Sequence, residues 1–264
     1  MRLPNIGVKG SELNRDLLDS WLQEKNAQFS NVEFTDVKAL FMPYATSELC
    51  AQMVVQTMKQ ITNYSRYKRI VMLGLSHSRV TKGIYIPDSN SYRSGLTEFQ
   101  MQLEPELEQQ VLTCGSSTEI SKVSQEFIDI CDVAYNLPLI AGLTAELMLP
   151  IVPITYHRAE KSDLVKLIDL LVDNDSLMIL CGGLSHSLSI QESKSLDSES
   201  ISKVIALDSS IRNVQSNSYI ALNSLIKLAE DHYWRPRLIS YQSTGSKHNV
   251  KNTAGYASIV FFNQ

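Results

Sequence analysis

Residues 69–78 read RIVMLGLSHS, and residues 176–187 read SLMILCGGLSHS. Each opens with a short apolar run and closes on Gly-Leu-Ser-His-Ser. Continuous apolar runs of this length fit strands buried on both faces, as in parallel sheets. A glycine just past the run lets the backbone turn sharply. In open α/β sheets, ligands bind in the crevice outside the carboxyl ends of the strands. The pattern therefore displays Ser76 and His77 at one strand end, and Ser185 and His186 at another.

Outward from these segments, buried strands are expected at 37–42 (VKALFM, ended by Pro43) and 83–87 (GIYIP). Another is expected within 146–154, where two prolines limit pairing. Helical spacing marks 47–61, through Leu49, Met53, Val54, Met58 and Ile61, with Ser47 as cap. It also marks 118–135, through Ile120, Val123, Phe127, Ile130 and Cys131, and 161–172, capped by Ser162. Two more helices are read at 198–207 and 218–229, then two β runs at 237–241 and 256–262. Residues 88–117, rich in Ser, Gln, Glu and Gly, read as a long loop. Residues 1–35 are poorly patterned, apart from a helical stripe of Leu17, Leu18, Trp21 and Leu22. Strands alternating with amphipathic helices predict an α/β fold with a mostly parallel central sheet covered by helices on both faces. No break in composition divides the chain, so a single domain over 1–264 is expected.

Composition narrows the function classes. The chain has 264 residues, 44% hydrophobic and 20% charged, an ordinary globular mix that can build its own core without disulfides or metal. The cysteines, Cys50, Cys114, Cys131 and Cys181, form no C-x-x-C pair and read as free thiols in a reducing compartment. A net charge of −4 with scattered Lys and Arg gives no footprint for nucleic acid. The first residues, MRLPNIGVKG, lack the apolar core of a signal peptide, and no run approaches the roughly 18 apolar residues of a membrane span. The expectation is a cytoplasmic protein with no membrane partner.

If the two GLSHS strands are neighbours, His77 and His186 can share one crevice. Two imidazoles there suit a divalent transition metal, or an acid–base pair. Alternatively, each only hydrogen-bonds a loop carbonyl. A serine nucleophile is disfavoured, because G-L-S-H-S lacks the second glycine of a nucleophile elbow. His157 reads as a surface-loop residue, His232 as a packing or capping residue after a helix, and His248 as solvated. The loop after residue 243 could cradle an anion, but carries no nucleotide-binding motif.

In this order and strand context, the motifs resemble those of the Memo-like family, which includes the AmmeMemoRadiSam system protein B group. The family carries P-H-A-G-Y after its first strand, G-P-S-H after the second and D-x-S-H later, and closes with G-Y-A. Here Gly74-Leu75-Ser76-His77 answers the second segment, Gly183-Leu184-Ser185-His186 the third, and Gly255-Tyr256-Ala257 the last. The resemblance covers roughly residues 37–262 and is weakest over 88–145. It implies an α/β fold similar to class III extradiol dioxygenases, which use non-haem iron. It also implies either iron or copper binding with redox chemistry, or a role as an interaction protein.

The departures fall on the implied metal ligands. Tyr44 stands where the family has histidine, and Gly183 where it has aspartate. The family's E-H-S-x-E keeps only Glu146, and its ligand cysteine falls near Gln215. Histidines 77 and 186 remain, with Tyr44 or Cys181 as substitute ligands. Cys181 also reads as the last buried residue of its strand, Tyr44 as packing over the pocket floor, and Glu146 either as a hydrogen-bond acceptor behind the ligands or as a solvated helix residue. The resemblance thus implies a degenerate metal-site cleft. The leading expectation is a non-catalytic protein binding a protein partner or small molecule. The alternative is an iron- or copper-dependent redox or dioxygenase-like enzyme, with His77 or His186 catalytic. Clustering of Tyr44, His77 and His186 around an open cavity would favour the enzyme, and a filled crevice the binding protein.

Overall fold

The computed structural model describes residues 20, 33–44, 48–77, 82–93, 98–244 and 253–263. The cap Ser47, the stripe around Trp21, His248 and most of the loop after 243 lie outside them. Among the described residues, eleven strands and seven helices form a single α/β unit. In chain order they are β1 (Val37–Met42), α1 (Glu48–Met58), β2 (Arg69–Leu75), β3 (Gly83–Pro87), β4 (Ser91–Arg93), β5 (Glu98–Gln100) and α2 (Pro105–Cys114). Next come β6 (Ile120–Val123), α3 (Gln125–Ile128), α4 (Asp132–Thr144), β7 (Ile151–His157), α5 (Lys161–Asp173) and β8 (Ser176–Cys181). The chain finishes with β9 (His186–Leu188), α6 (Ile190–Ile205), α7 (Tyr219–Asp231), β10 (Arg235–Ser243) and β11 (Thr253–Phe262).

Nine strands make one sheet in the order β10-β11-β1-β8-β2-β7-β3-β6, with β9 paired to β11. The centre, β1-β8-β2-β7, is parallel, and the β10 and β11 end is antiparallel. Side chains alternate across the pleat. On one face Leu40, Met42, Ile70, Met72 and Ile179 meet α1 and α4, through Val54, Leu137 and Ile140. On the other, Phe41, Val71, Leu73, Met178 and Leu180 meet α5 and α7, through Leu164, Leu167, Leu222 and Leu225. Burial on both faces is why these strands read as unbroken apolar runs. Proline is tolerated at Pro153 because β3 pairs with β7 only from Thr155 onward.

Four expectations need correction. Within 88–117 the described residues form strands β4 and β5, paired with each other, and α2, which buries Leu107 and Val111 and begins with Pro105 at its first turn. Residues 118–135 are not one helix, because Ile120–Val123 pairs with β3 and a new helix begins at Asp132. The helix at 161 is preceded by Glu160 at the cap position rather than capped by Ser162. Helix α6 also starts earlier than 198, at a capping box in which Ser189 and Glu192 bond each other's backbone.

Candidate functional site

Strand register fixes the rim. Met42 pairs with Cys181, Cys181 with Gly74, and Gly74 with Thr155, so these four form one row across the parallel strands. Two residues further along each strand stand Tyr44, Gly183, Ser76 and His157. Strands β2 and β8 are neighbours, as the repeated segments require.

The two GLSHS segments nevertheless part company. After β2 the chain continues outward: the Ser76 amide donates to the Tyr156 carbonyl at 2.8 Å, and His77 follows at the mouth of a cavity. After β8 the chain turns aside. The Leu184 amide donates to the Gly255 carbonyl, and the Gly255 amide donates to Ser185, each at 2.9 Å. His186 is thereby carried onto the β11 side, where it is exposed and pairs with Ala254. Ser185 is buried: its amide donates to Asp197 Oδ1 at 2.9 Å, and its hydroxyl meets Ser193 Oγ at 2.8 Å. It pins α6 rather than facing a ligand.

The cavity has a volume of about 320 Å³ and opens outside the ends of β2 and β7. Its lining includes Leu75, Ser76 and His77, then Tyr156, His157 and Arg158, and Asn217, Tyr219 and Ile220 where α7 begins. His77 Nε2 lies 2.5 Å from Asp132 Oδ1. Asp132 is 1% exposed in the first turn of α4, where the helix dipole favours an acid. The Asp132 hydrogen bond raises the His77 pKa above its ordinary 6.5, more than burial lowers it. Burial in turn pushes the Asp132 carboxyl upward, against the pull of His77. The pair holds its proton well, and the bond leaves His77 Nδ1 as the second ring nitrogen. His157 is a cleft residue rather than a surface-loop one; its Nδ1 donates to the Ser76 carbonyl at 3.2 Å.

The other expected site residues lie elsewhere. Tyr44 packs with Cys50, Met53 and Tyr256, and its ring also meets Tyr135. Burial first, then Tyr256 and Asp132, raises its hydroxyl pKa far above the usual 10. A Cβ placed on Gly183 would stand 3.2 Å from that hydroxyl. Cys181 is core: Asn136 Nδ2 donates to its sulfur at 3.4 Å, and burial pushes its thiol up to about 12. Glu146 is exposed in the turn Ala145–Leu147, ahead of β7 and so at the far end of the sheet. Gln215 is buried in the loop before α7, its Oε1 accepting from the Arg212 amide at 3.0 Å. His232 stacks on Trp234 and meets Asp169 at 2.7 Å, a packing role as expected.

A metal held by His77, His186 and Tyr44 does not fit this arrangement. Of the three, only His77 lines the cavity, and its Nε2 is engaged by Asp132. The Tyr44 phenol is enclosed in surroundings that favour its neutral form. Among the described residues, no group of three or more His, Cys, Asp or Glu is disposed to hold an ion.

Reading the sequence missed Asp132, Arg158, Asn217 and Tyr219. Asp132 had a signal: an acid breaking an apolar stretch is a common mark of a helix start. The others come together only through the meeting of β7 with α7.

No curated protein matches the chain. A crystal structure of an uncharacterised protein from Escherichia coli K12 is similar in fold, with a TM-score of 0.54 at 11% identity. The match covers 84% of this chain and 98% of that one. No helix among the described residues is long and apolar enough to cross a membrane. The family model described as Memo-like protein matches residues 9–259, nearly the whole length, and the chain belongs to that family.

Proposed function

We propose that this Memo-like chain binds a small molecule in the cleft beside His77 and Asp132. Its function rests on binding and on that hydrogen-bonded pair, rather than on iron or copper held by His77, His186 and Tyr44. The carrying observation is a buried carboxylate fixing an imidazole at the mouth of an open cavity of about 320 Å³. Such a cavity suits a small molecule better than a protein surface. Asp132 orients the ring, and Nδ1 remains to donate to a ligand or exchange a proton with it.

The test is a fragment screen by NMR on the full chain, beside anaerobic Fe(II) and copper titrations of wild type, His77→Ala and His186→Ala. Fragments are expected to perturb His77, His157 and Asn217, with metal uptake no greater in wild type than in the variants. Stoichiometric metal binding lost in both variants would refute the proposal in favour of a metal-dependent redox or dioxygenase-like enzyme. Fragments that leave all three residues unperturbed would refute it as well.

A further inference from the structure

The cavity wall is chemically lopsided. Leu75, Ile220 and the Tyr219 ring supply apolar surface. The polar groups facing them are mostly donors. Arg158 is exposed and makes no ion pair or hydrogen bond among the described residues. Asn217 Oδ1 accepts from the Gly183 amide at 2.9 Å, which orients the side chain and leaves its amide nitrogen as a donor. The Tyr156 hydroxyl is buried, set against Ser218 and the Ala221 backbone where α7 begins. The lining also includes Tyr219 and Ile220 in the first turn of α7. Among the described residues, no carboxylate is part of the cavity lining.

Backbone geometry sharpens the point. Arg158 has φ 49°, in the left-handed region that a side chain with a Cβ seldom adopts. A strained residue directly after a strand, bearing an unpaired guanidinium on a cavity wall, is the kind of feature found at ligand clamps.

We infer that the cleft takes a small monocarboxylate with a short apolar body. Its carboxylate sits on Arg158 and Asn217, and its body lies against Leu75, Tyr219 and Ile220. This rests on the cleft being a binding site. A guanidinium matches a carboxylate with two parallel hydrogen bonds. One such cation with an apolar wall suits a monoanion carrying hydrocarbon better than phosphate.

The test is an NMR titration of the full chain with butanoate, butanamide and inorganic phosphate, on wild type, Arg158→Gln and Arg158→Lys. Butanoate is expected to shift the Arg158 Nε and Asn217 side-chain signals and to bind more tightly than butanamide or phosphate. Affinity for butanoate should fall at least about tenfold in Arg158→Gln and partly recover in Arg158→Lys. Because Arg158 makes no ion pair or hydrogen bond among the described residues, unchanged circular dichroism should accompany the loss. Butanamide shifting cleft signals as strongly as butanoate, or a loss no larger in Arg158→Gln than in Arg158→Lys, would overturn the carboxylate assignment and leave the cleft as a binding site. Tighter binding of phosphate would overturn it in the same way. Silence from all three probes at His77, His157 and Asn217 would overturn both readings.

Discussion

Replacing Gly255 by alanine tests the packing that steers the second GLSHS segment away from the cleft. An added Cβ would overlap Asp197 Oδ2 and stand 2.6 Å from Oδ1. The carboxylate has little room to retreat. Asp197 is fully buried on α6 and accepts from the Ser185 amide at 2.9 Å, the Ser193 hydroxyl at 3.2 Å and the Tyr241 hydroxyl at 2.8 Å. A hydrogen bond to a buried charge contributes about 1.5–3 kcal/mol. A rotated carboxylate keeps some of its three, so a net loss of about 3 kcal/mol is expected. For a chain of this size that corresponds to a fall of about 6–12 °C in Tm. The assay is thermal unfolding by circular dichroism on wild type, Gly255→Ala, Asp197→Ala and the double variant. With the carboxylate gone, the alanine has nothing to strike, so Gly255→Ala should add under about 1 kcal/mol in the Asp197→Ala background. Gly255→Ala melting within about 2 °C of wild type, or additive penalties, would refute the reasoning.

Three further outcomes are expected. In Asp132→Asn the His77 imidazole should titrate lower than in wild type, followed by NMR of its ring nitrogens. Because the folded pKa of His77 is raised, its pairing stabilises the fold fully below about pH 6.5 and less as pH rises through the raised value. The Tm advantage of wild type over Asp132→Asn should therefore shrink above pH 6.5, and a constant gap would contradict this. Arg158→Gly, which relieves the positive φ, should raise stability by about 0.5–1 kcal/mol in denaturant unfolding; a loss of stability would show that the arginine has a structural partner. Alkylation of the native protein at pH 8 should label half-buried Cys114 ahead of Cys181, whose thiol is pushed up to about 12. Peptide mass spectrometry reads the order, and labelling of Cys181 at the rate of Cys114 would count against its burial.

The sequence was most legible where burial on two faces leaves only one reading. The runs at β1, β2, β3 and β8 are continuous and apolar, and they fall where their pattern places them. Legibility failed at Ile120–Val123, where apolar residues spaced three apart imitate a helix but pair with β3 at the sheet edge. It failed again within 88–117, where a polar helix buries little more than Leu107 and Val111. At the candidate site, His77 was readable because it follows a buried strand. His186 looked equivalent because its local sequence is the same. What separates them is a pairing with Gly255, some seventy residues further along the chain, which no local pattern encodes. Asp132 and Arg158 belong to the same class, since each matters through a neighbour that only the assembled sheet supplies.

The contact between Tyr44 and Gly183 bears on how this chain could have diverged within its family. The tyrosine hydroxyl occupies the space into which a side chain at 183 would grow, and a Cβ alone is already tight at 3.2 Å. The two departures from the family pattern are therefore one event in space, although 139 positions separate them in sequence. An aspartate placed at 183 alone meets the tyrosine. Bringing in both residues that the resemblance implies, histidine at 44 and aspartate at 183, would require changing the two positions together.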